Sequence, residues 1–232
     1  MKPLTGCSTS SGGATTSEAG DTALMIVRAL ACRRGNEWLF ENLDFSVGRS
    51  GCVWLRGHNG SGKTSLLRVV AGLSRPDRGT VQFLRRTIDE SEPDAASCVY
   101  IGHANGLKDD LTVFESLQFL ARLHGRPAAV TDMDGALQRL GMSHRRNAFV
   151  RTLSQGQRRR VALARLALET APTLWVLDEP YDALDASGID VVDDMLVGHL
   201  ARGGGVLLTS HLPLGPKAPR ADVLELVRSP RP

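Results

Sequence analysis

From Leu24 onward, short apolar runs alternate with stretches in which apolar residues recur every three or four positions. Residues 24–31 and 39–47 read as strands, and 52–57 as a third short run that enters a glycine-rich loop. A helix pattern begins at Gly62, with Leu66, Val69, Val70 and Leu73 on one face. Residues 80–84 and 98–101 read as two more strands. Thr112-x-x-Glu115 has the form of a capping box, which starts a helix running toward His124. A further helix is predicted over 132–140. Ser154-x-x-Gln157 is a second capping box, and Leu163, Leu166, Ala167 and Thr170 continue that helix until Pro172 stops it. Residues 174–177 are uninterruptedly apolar, as expected of a strand covered on both faces. A helix over 189–201 and strands over 206–209 and 223–227 complete the pattern. Strands alternating with helices predict an α/β fold with a mostly parallel sheet.

Composition narrows the class. At 232 residues the chain is long enough to bury one core without staples. Residues 1–22 hold nine Ser/Thr and four Gly and almost no large apolar side chains, so they predict a disordered tail before one domain over 23–230. A net charge of +3 and 5% aromatic residues argue against a nucleic-acid partner. No run approaches the roughly 20 apolar residues that span a bilayer. Cys7, Cys32, Cys52 and Cys98 are scattered without zinc spacing and read as reduced structural thiols.

Chemistry enters at Gly57-His58-Asn59-Gly60-Ser61-Gly62-Lys63-Thr64, a full match to G-x-x-x-x-G-K-[ST], with Ser65 next in the helix. Glycines let the backbone curl so that successive N–H groups form an anion nest, and the helix adds its positive N-terminal end. Lys63 is suited to β- and γ-phosphates and the Thr64 hydroxyl to Mg²⁺. Asp178 and Glu179 follow the apolar run 174–177, where ligands sit in open α/β sheets. Asp178 is the candidate Mg²⁺ partner and Glu179 the candidate for polarising the attacking water. Gly156 stands inside the first turn after Ser154, where glycine costs up to about 1 kcal/mol against alanine. A phosphate approaching the backbone would account for it.

Leu153-Ser154-Gln155-Gly156-Gln157 between that loop and Asp178-Glu179-Pro180 resembles the ATP-binding subunits of ABC transporters, over about residues 24–227. The resemblance implies a RecA-like α/β core, an antiparallel β subdomain and a helical subdomain near 104–165. It implies an ATPase that dimerises head to tail, with ATP between residues 57–64 of one subunit and Ser154, Gly156 and Gln157 of the other. Ala183-Leu184-Asp185 resembles the D-loop. His211 would contact the γ-phosphate and Glu179 would act as general base.

Three positions depart from that family. His103 stands where a glutamine is usual, Arg34 where an aromatic ring usually stacks on adenine, and Asp182 where Ser or Thr is usual. His103 within residues 101–119, together with residues 157–165, resembles the CcmA family, the ATP-binding subunits of haem exporters in cytochrome c maturation. That resemblance implies a peripheral subunit on the cytoplasmic face of the inner membrane, with membrane partners of the CcmB and CcmC type. His124, His144 and His199 are isolated, so haem is not expected to be held by this chain itself. Arg158, Arg159 and Arg160 read as one solvated helix face, Arg85–Arg86 and Arg145–Arg146 as surface pairs. Leu107, Leu111 and Phe114 read either as anchors for a membrane partner or as core packing. An ABC subunit with another cargo, a soluble ABC ATPase and a P-loop kinase are the remaining readings.

Overall fold

The computed structural model describes residues 23–83 and 98–227; the tail, Cys7 and Arg85–Arg86 lie outside them. In chain order the elements are β1 (Ala23–Arg34), β2 (Glu37–Gly48), β3 (Cys52–Arg56), α1 (Lys63–Val70), β4 (Arg78–Phe83) and β5 (Cys98–Ile101). There follow α2 (Val113–Leu123), α3 (Val130–Arg139), α4 (Gln155–Ala164), β6 (Leu174–Leu177), α5 (Ala186–Ala201), β7 (Gly205–Thr209) and β8 (Asp222–Glu225). One sheet is antiparallel in the order β2-β1-β4; the other is parallel in the order β5-β6-β7-β3-β8.

The parallel sheet divides two cores, and the two-residue period of its strands assigns each side chain to one of them. In β6, Trp175 and Leu177 join α2–α5 on one face, while Leu174 and Val176 join α1 and the antiparallel sheet on the other. β7 divides the same way, with Val206 and Leu208 against Leu207. All four residues of β6 and all five of β7 are buried. Both capping boxes form as predicted. Thr112 Oγ1 accepts from Glu115 N, and Ser154 Oγ accepts from Gln157 N.

Two expectations about helix length fail. Leu73 is 56% exposed rather than part of the apolar face. The helix α1 ends at Val70, and the N–H groups of Gly72 and Leu73 turn back to Val69 O and Arg68 O, the hydrogen-bonded reversal that a glycine after a helix permits. The helix α4 does not continue to Thr170. It tightens at Arg165–Leu168 into a 3₁₀ turn. Tertiary partners hold that turn: Arg165 Nη2 donates to Tyr100 O, and buried Glu169 is paired with Arg126.

Candidate nucleotide site

Four strand ends meet at one edge of the parallel sheet. The loop 57–62 leaves β3, Gly102 and His103 leave β5, Asp178 and Glu179 leave β6, and Ser210 and His211 leave β7. That is the crevice outside the carboxyl ends where open α/β sheets take ligands. A cavity of about 390 Å³ opens there, between Asn59, Gly60, Gly62, Lys63, Thr64 and Ser65 on one side and Asp178, Glu179, Asp182, His103 and His211 on the other. Arg34 and Leu39 from the antiparallel sheet close one end.

The phosphate loop is shaped by close approach. A Cβ on Gly57 would stand 2.7 Å from Leu226 O and 2.7 Å from Ser61 Oγ, and its φ is 150°. Lys63 Nζ donates to Gly57 O at 2.7 Å and to His58 O at 3.3 Å, both neutral acceptors. The Ser61 hydroxyl is buried without a hydrogen-bond partner among the described residues. An ammonium held only by carbonyls, beside an idle hydroxyl and a curled backbone, fits an anion of phosphate type.

The acid side is equally ordered. Asp178 Oδ2 accepts from Thr64 Oγ1 at 2.9 Å, and its Oδ1 accepts from Thr209 Oγ1 at 3.0 Å. Thr64 and Asp178 thus lie together, as a shared Mg²⁺ needs. Mg²⁺ is commonly held by one or two protein oxygens plus substrate phosphates rather than by a cage. Among the described residues no cluster of three or more His, Cys, Asp or Glu forms one. Glu179 is in left-handed backbone, φ 52°, and its side chain is 13% exposed. Its N–H donates to Thr209 Oγ1 at 2.9 Å, and its Oε2 accepts from His211 N at 2.8 Å. His211 Nε2 lies 3.5 Å from Glu179 Oε1. His103 is exposed at the cavity wall, with Nδ1 3.9 Å from Asp182 Oδ2, so two of the departing residues face each other.

Ser154, Gly156 and Gln157 are not in the cavity wall. Ser154 is exposed at the α4 N-terminus. Gly156 has a reason within its own chain: a Cβ there would stand 2.6 Å from Ala183 O. Leu107, Leu111 and Phe114 are half-buried. Leu107 and Phe114 pack against the core, and Arg146 lies 3.8 Å above the Phe114 ring.

The arginine run is not one solvated face. Arg158 pairs with Asp109 and Arg160 with Asp185, but Arg159 is buried against the segment 178–180. Burial pulls its guanidinium below the usual range, and Asp182, Asp178 and Glu179 oppose that. Consecutive helical positions are turned by about 100°, so three in a row cannot share a face; that was the available signal. Thr209 was likewise missed, although a lone polar residue closing an apolar strand must find partners. Arg146 is no free surface charge, since it binds Asp134 at 2.7 Å.

The family model for ABC transporters matches residues 40–182. The chain is 43% identical over 190 residues to the cytochrome c biogenesis ATP-binding export protein CcmA 2 of Cupriavidus metallidurans, covering 82% of this chain and 90% of that one. It is 46% identical over 189 residues to the cytochrome c biogenesis ATP-binding export protein CcmA of Xanthomonas campestris pv. campestris, covering 81% and 86%. The solved structure of an ATP-binding subunit of an ABC transporter superposes with a TM-score of 0.70 at 26% identity, covering 82% of this chain and 80% of that one. This chain belongs to the ATP-binding subunits of ABC transporters, within the CcmA family.

Proposed function

We propose that the protein is the ATP-hydrolysing subunit of an export complex in cytochrome c biogenesis, with haem as the exported cargo. The observation that carries the ATPase assignment is the gathering of Lys63, Thr64, Asp178, Glu179 and His211 around one cavity. The names of the relatives support export in cytochrome c biogenesis; haem as cargo rests on the resemblance of residues 101–119 to the CcmA family.

In this reading the loop 57–62 and Lys63 bind the phosphates of ATP, and Ser65 lines the same wall. Thr64 and Asp178 would hold Mg²⁺, which when bound neutralises charge on the phosphate oxygens. Glu179 takes the proton of the attacking water, and the His211 N–H holds its carboxylate in place. The His211 ring and His103 stand at the wall, where each can donate to phosphate oxygens. Ser154, Gly156 and Gln157, outside the wall of their own chain, complete the cavity of a second copy. That geometry supports a head-to-tail homodimer.

Among the described residues no helix is long and apolar enough to cross a membrane. By its resemblance to the CcmA family, the chain would act as a peripheral subunit at the cytoplasmic face of the inner membrane, on membrane subunits of the CcmB and CcmC type. Leu107 and Phe114 pack in part against the core and stay half-buried rather than fully covered.

The test is ATP turnover without any phosphate acceptor, by the wild type and by Glu179→Gln. The variant should bind ATP normally and lose about 10²–10⁴-fold in rate. Unchanged turnover in the variant rejects Glu179 as base, and turnover that needs an acceptor favours a kinase. Pull-down in mild detergent should recover the CcmB- and CcmC-type subunits; recovery of an unrelated permease instead would reassign the cargo.

A further inference from the structure

One buried cation has no part in the scheme above. Arg159 lies in the second turn of α4 and is 3% exposed. Its Nη2 donates to Asp178 O at 2.8 Å and to Glu179 O at 2.7 Å. Its Nη1 donates to Gly102 O at 2.9 Å and to Asn105 Oδ1 at 3.2 Å. Its Nε reaches Pro180 O at 3.4 Å. A guanidinium has five N–H groups in a rigid planar fork, and these five acceptors engage all of them. Every acceptor is neutral. The fork therefore fixes backbone rather than forming a charge pair.

What it fixes is specific. Asp178 O and Glu179 O belong to the two peptide planes on either side of the Glu179 Cα. Holding both planes sets the direction of the Cα–Cβ bond, and so the aim of the carboxylate. It does so at a residue with φ 52°, a conformation that side chains seldom adopt unaided. Gly102 O belongs to the plane just before His103, so the same fork steadies a second stretch of the same cavity wall. Lysine has three donors on a flexible stem and cannot hold five acceptors of fixed geometry.

We propose that Arg159 is a positioning residue that aims Glu179, and with it His103, into the nucleotide cavity. This rests on the reading of Glu179 as general base. It predicts a loss confined to the chemical step, since Arg159 is not in the cavity wall.

The experiment uses the full chain with Arg159→Lys, Arg159→Met, Glu179→Gln and the Arg159→Lys/Glu179→Gln double variant. Steady-state kcat and KM, ATP affinity and thermal melting are measured for each, with single-turnover rates for the variants lacking Glu179. Arg159→Lys should fold, bind ATP within about twofold of wild type, and lose about 10–10²-fold in kcat, the scale of a small misplacement of a reacting group. In the Glu179→Gln background the same change should alter the residual rate by no more than about threefold, because no base remains to be aimed. Wild-type kcat in Arg159→Lys overturns the proposal. So does an equal loss in both backgrounds, which would make the effect independent of Glu179. Failure of both the Lys and Met variants to fold assigns Arg159 to stability alone and also overturns it. If Glu179→Gln itself keeps wild-type turnover, the base assignment falls first, and that result is read from a variant in which Arg159 is intact.

Discussion

The hydroxyl of Thr209 donates to Asp178 Oδ1 at 3.0 Å, across the pairing of β7 with β6. Thr209 Oγ1 in turn accepts the Glu179 N–H at 2.9 Å. One side chain at the end of β7 therefore orients both carboxyl-bearing residues at the end of β6. Thr209→Val keeps the branched shape and removes both bonds. The part-buried Glu179 N–H and the buried Asp178 Oδ1 lose partners, at a cost of about 1–3 kcal/mol. Turnover should fall by about 10–10²-fold, the scale of a displaced catalytic group, while the ATP concentration at half-saturation moves little. Denaturant unfolding and steady-state kinetics on the same preparation check both parts. Wild-type kcat in a variant that is destabilised would leave Thr209 a structural role only.

How much of this was open to reading depends on range. The phosphate loop was legible because its chemistry is local: glycine spacing, one lysine and one threonine follow one another along eight positions. Both capping boxes were legible for the same reason. Strand 174–177 was read correctly because burial on both faces leaves an unbroken apolar run. Arg159 and Thr209 were not legible as site residues, since their partners come from the loops after β5 and β6, far away in the chain. The end of α4 was missed because Arg165 and Glu169 find tertiary partners that no helical periodicity encodes. Gly156 was noticed as out of place, but the carbonyl that explains it belongs to Ala183, which only the fold brings near.

Lys63→Ala tests the phosphate loop with little risk to folding. The carbonyls that lose the ammonium are those of Gly57 and His58, at a loop open to solvent. Melting temperature should change little. A hydrogen bond to a charged group contributes about 1.5–3 kcal/mol, so ATP affinity should fall by about 10–10²-fold. Titration calorimetry with ATP measures it, and equal affinity in both proteins would reject the role given to Lys63.

Acid stability should turn on His199. Its ring is fully buried, stacked on Trp175 with centroids 3.8 Å apart, and its Nε2 lies 2.8 Å from Thr173 O. Burial pushes its pKa down from the ordinary 6.5 to about 4. The unfolded chain then binds a proton between those values that the folded chain refuses. Stability is complete above about pH 6.5 and is lost as pH falls toward 4, by up to about 3 kcal/mol from this residue. His199→Phe keeps the stack and removes the titration. It should be less stable at neutral pH, because Thr173 O loses its donor, yet show a shallower fall between pH 6.5 and 4. Urea unfolding at a series of pH values decides, and parallel curves for the two proteins would exclude His199 as the source.

The exposed α4 N-terminus makes the last prediction. Ser154, Gly156 and Gln157 lie outside the wall of the cavity that holds Lys63, so they serve a nucleotide only if a second copy presents them. A mixed dimer with Ser154→Arg on one subunit and Lys63→Ala on the other then places both lesions in one composite cavity and leaves the second intact. A mixed dimer with both lesions on the same subunit damages one lesion's worth of each cavity. The first arrangement should hydrolyse ATP faster than the second, approaching half the wild-type rate if the two cavities act independently. If each subunit used its own Ser154, the order would reverse, because the first arrangement would injure both subunits and the second only one. Differently tagged subunits purified as heterodimers allow the comparison. Equal rates, or the reversed order, would exclude the head-to-tail arrangement.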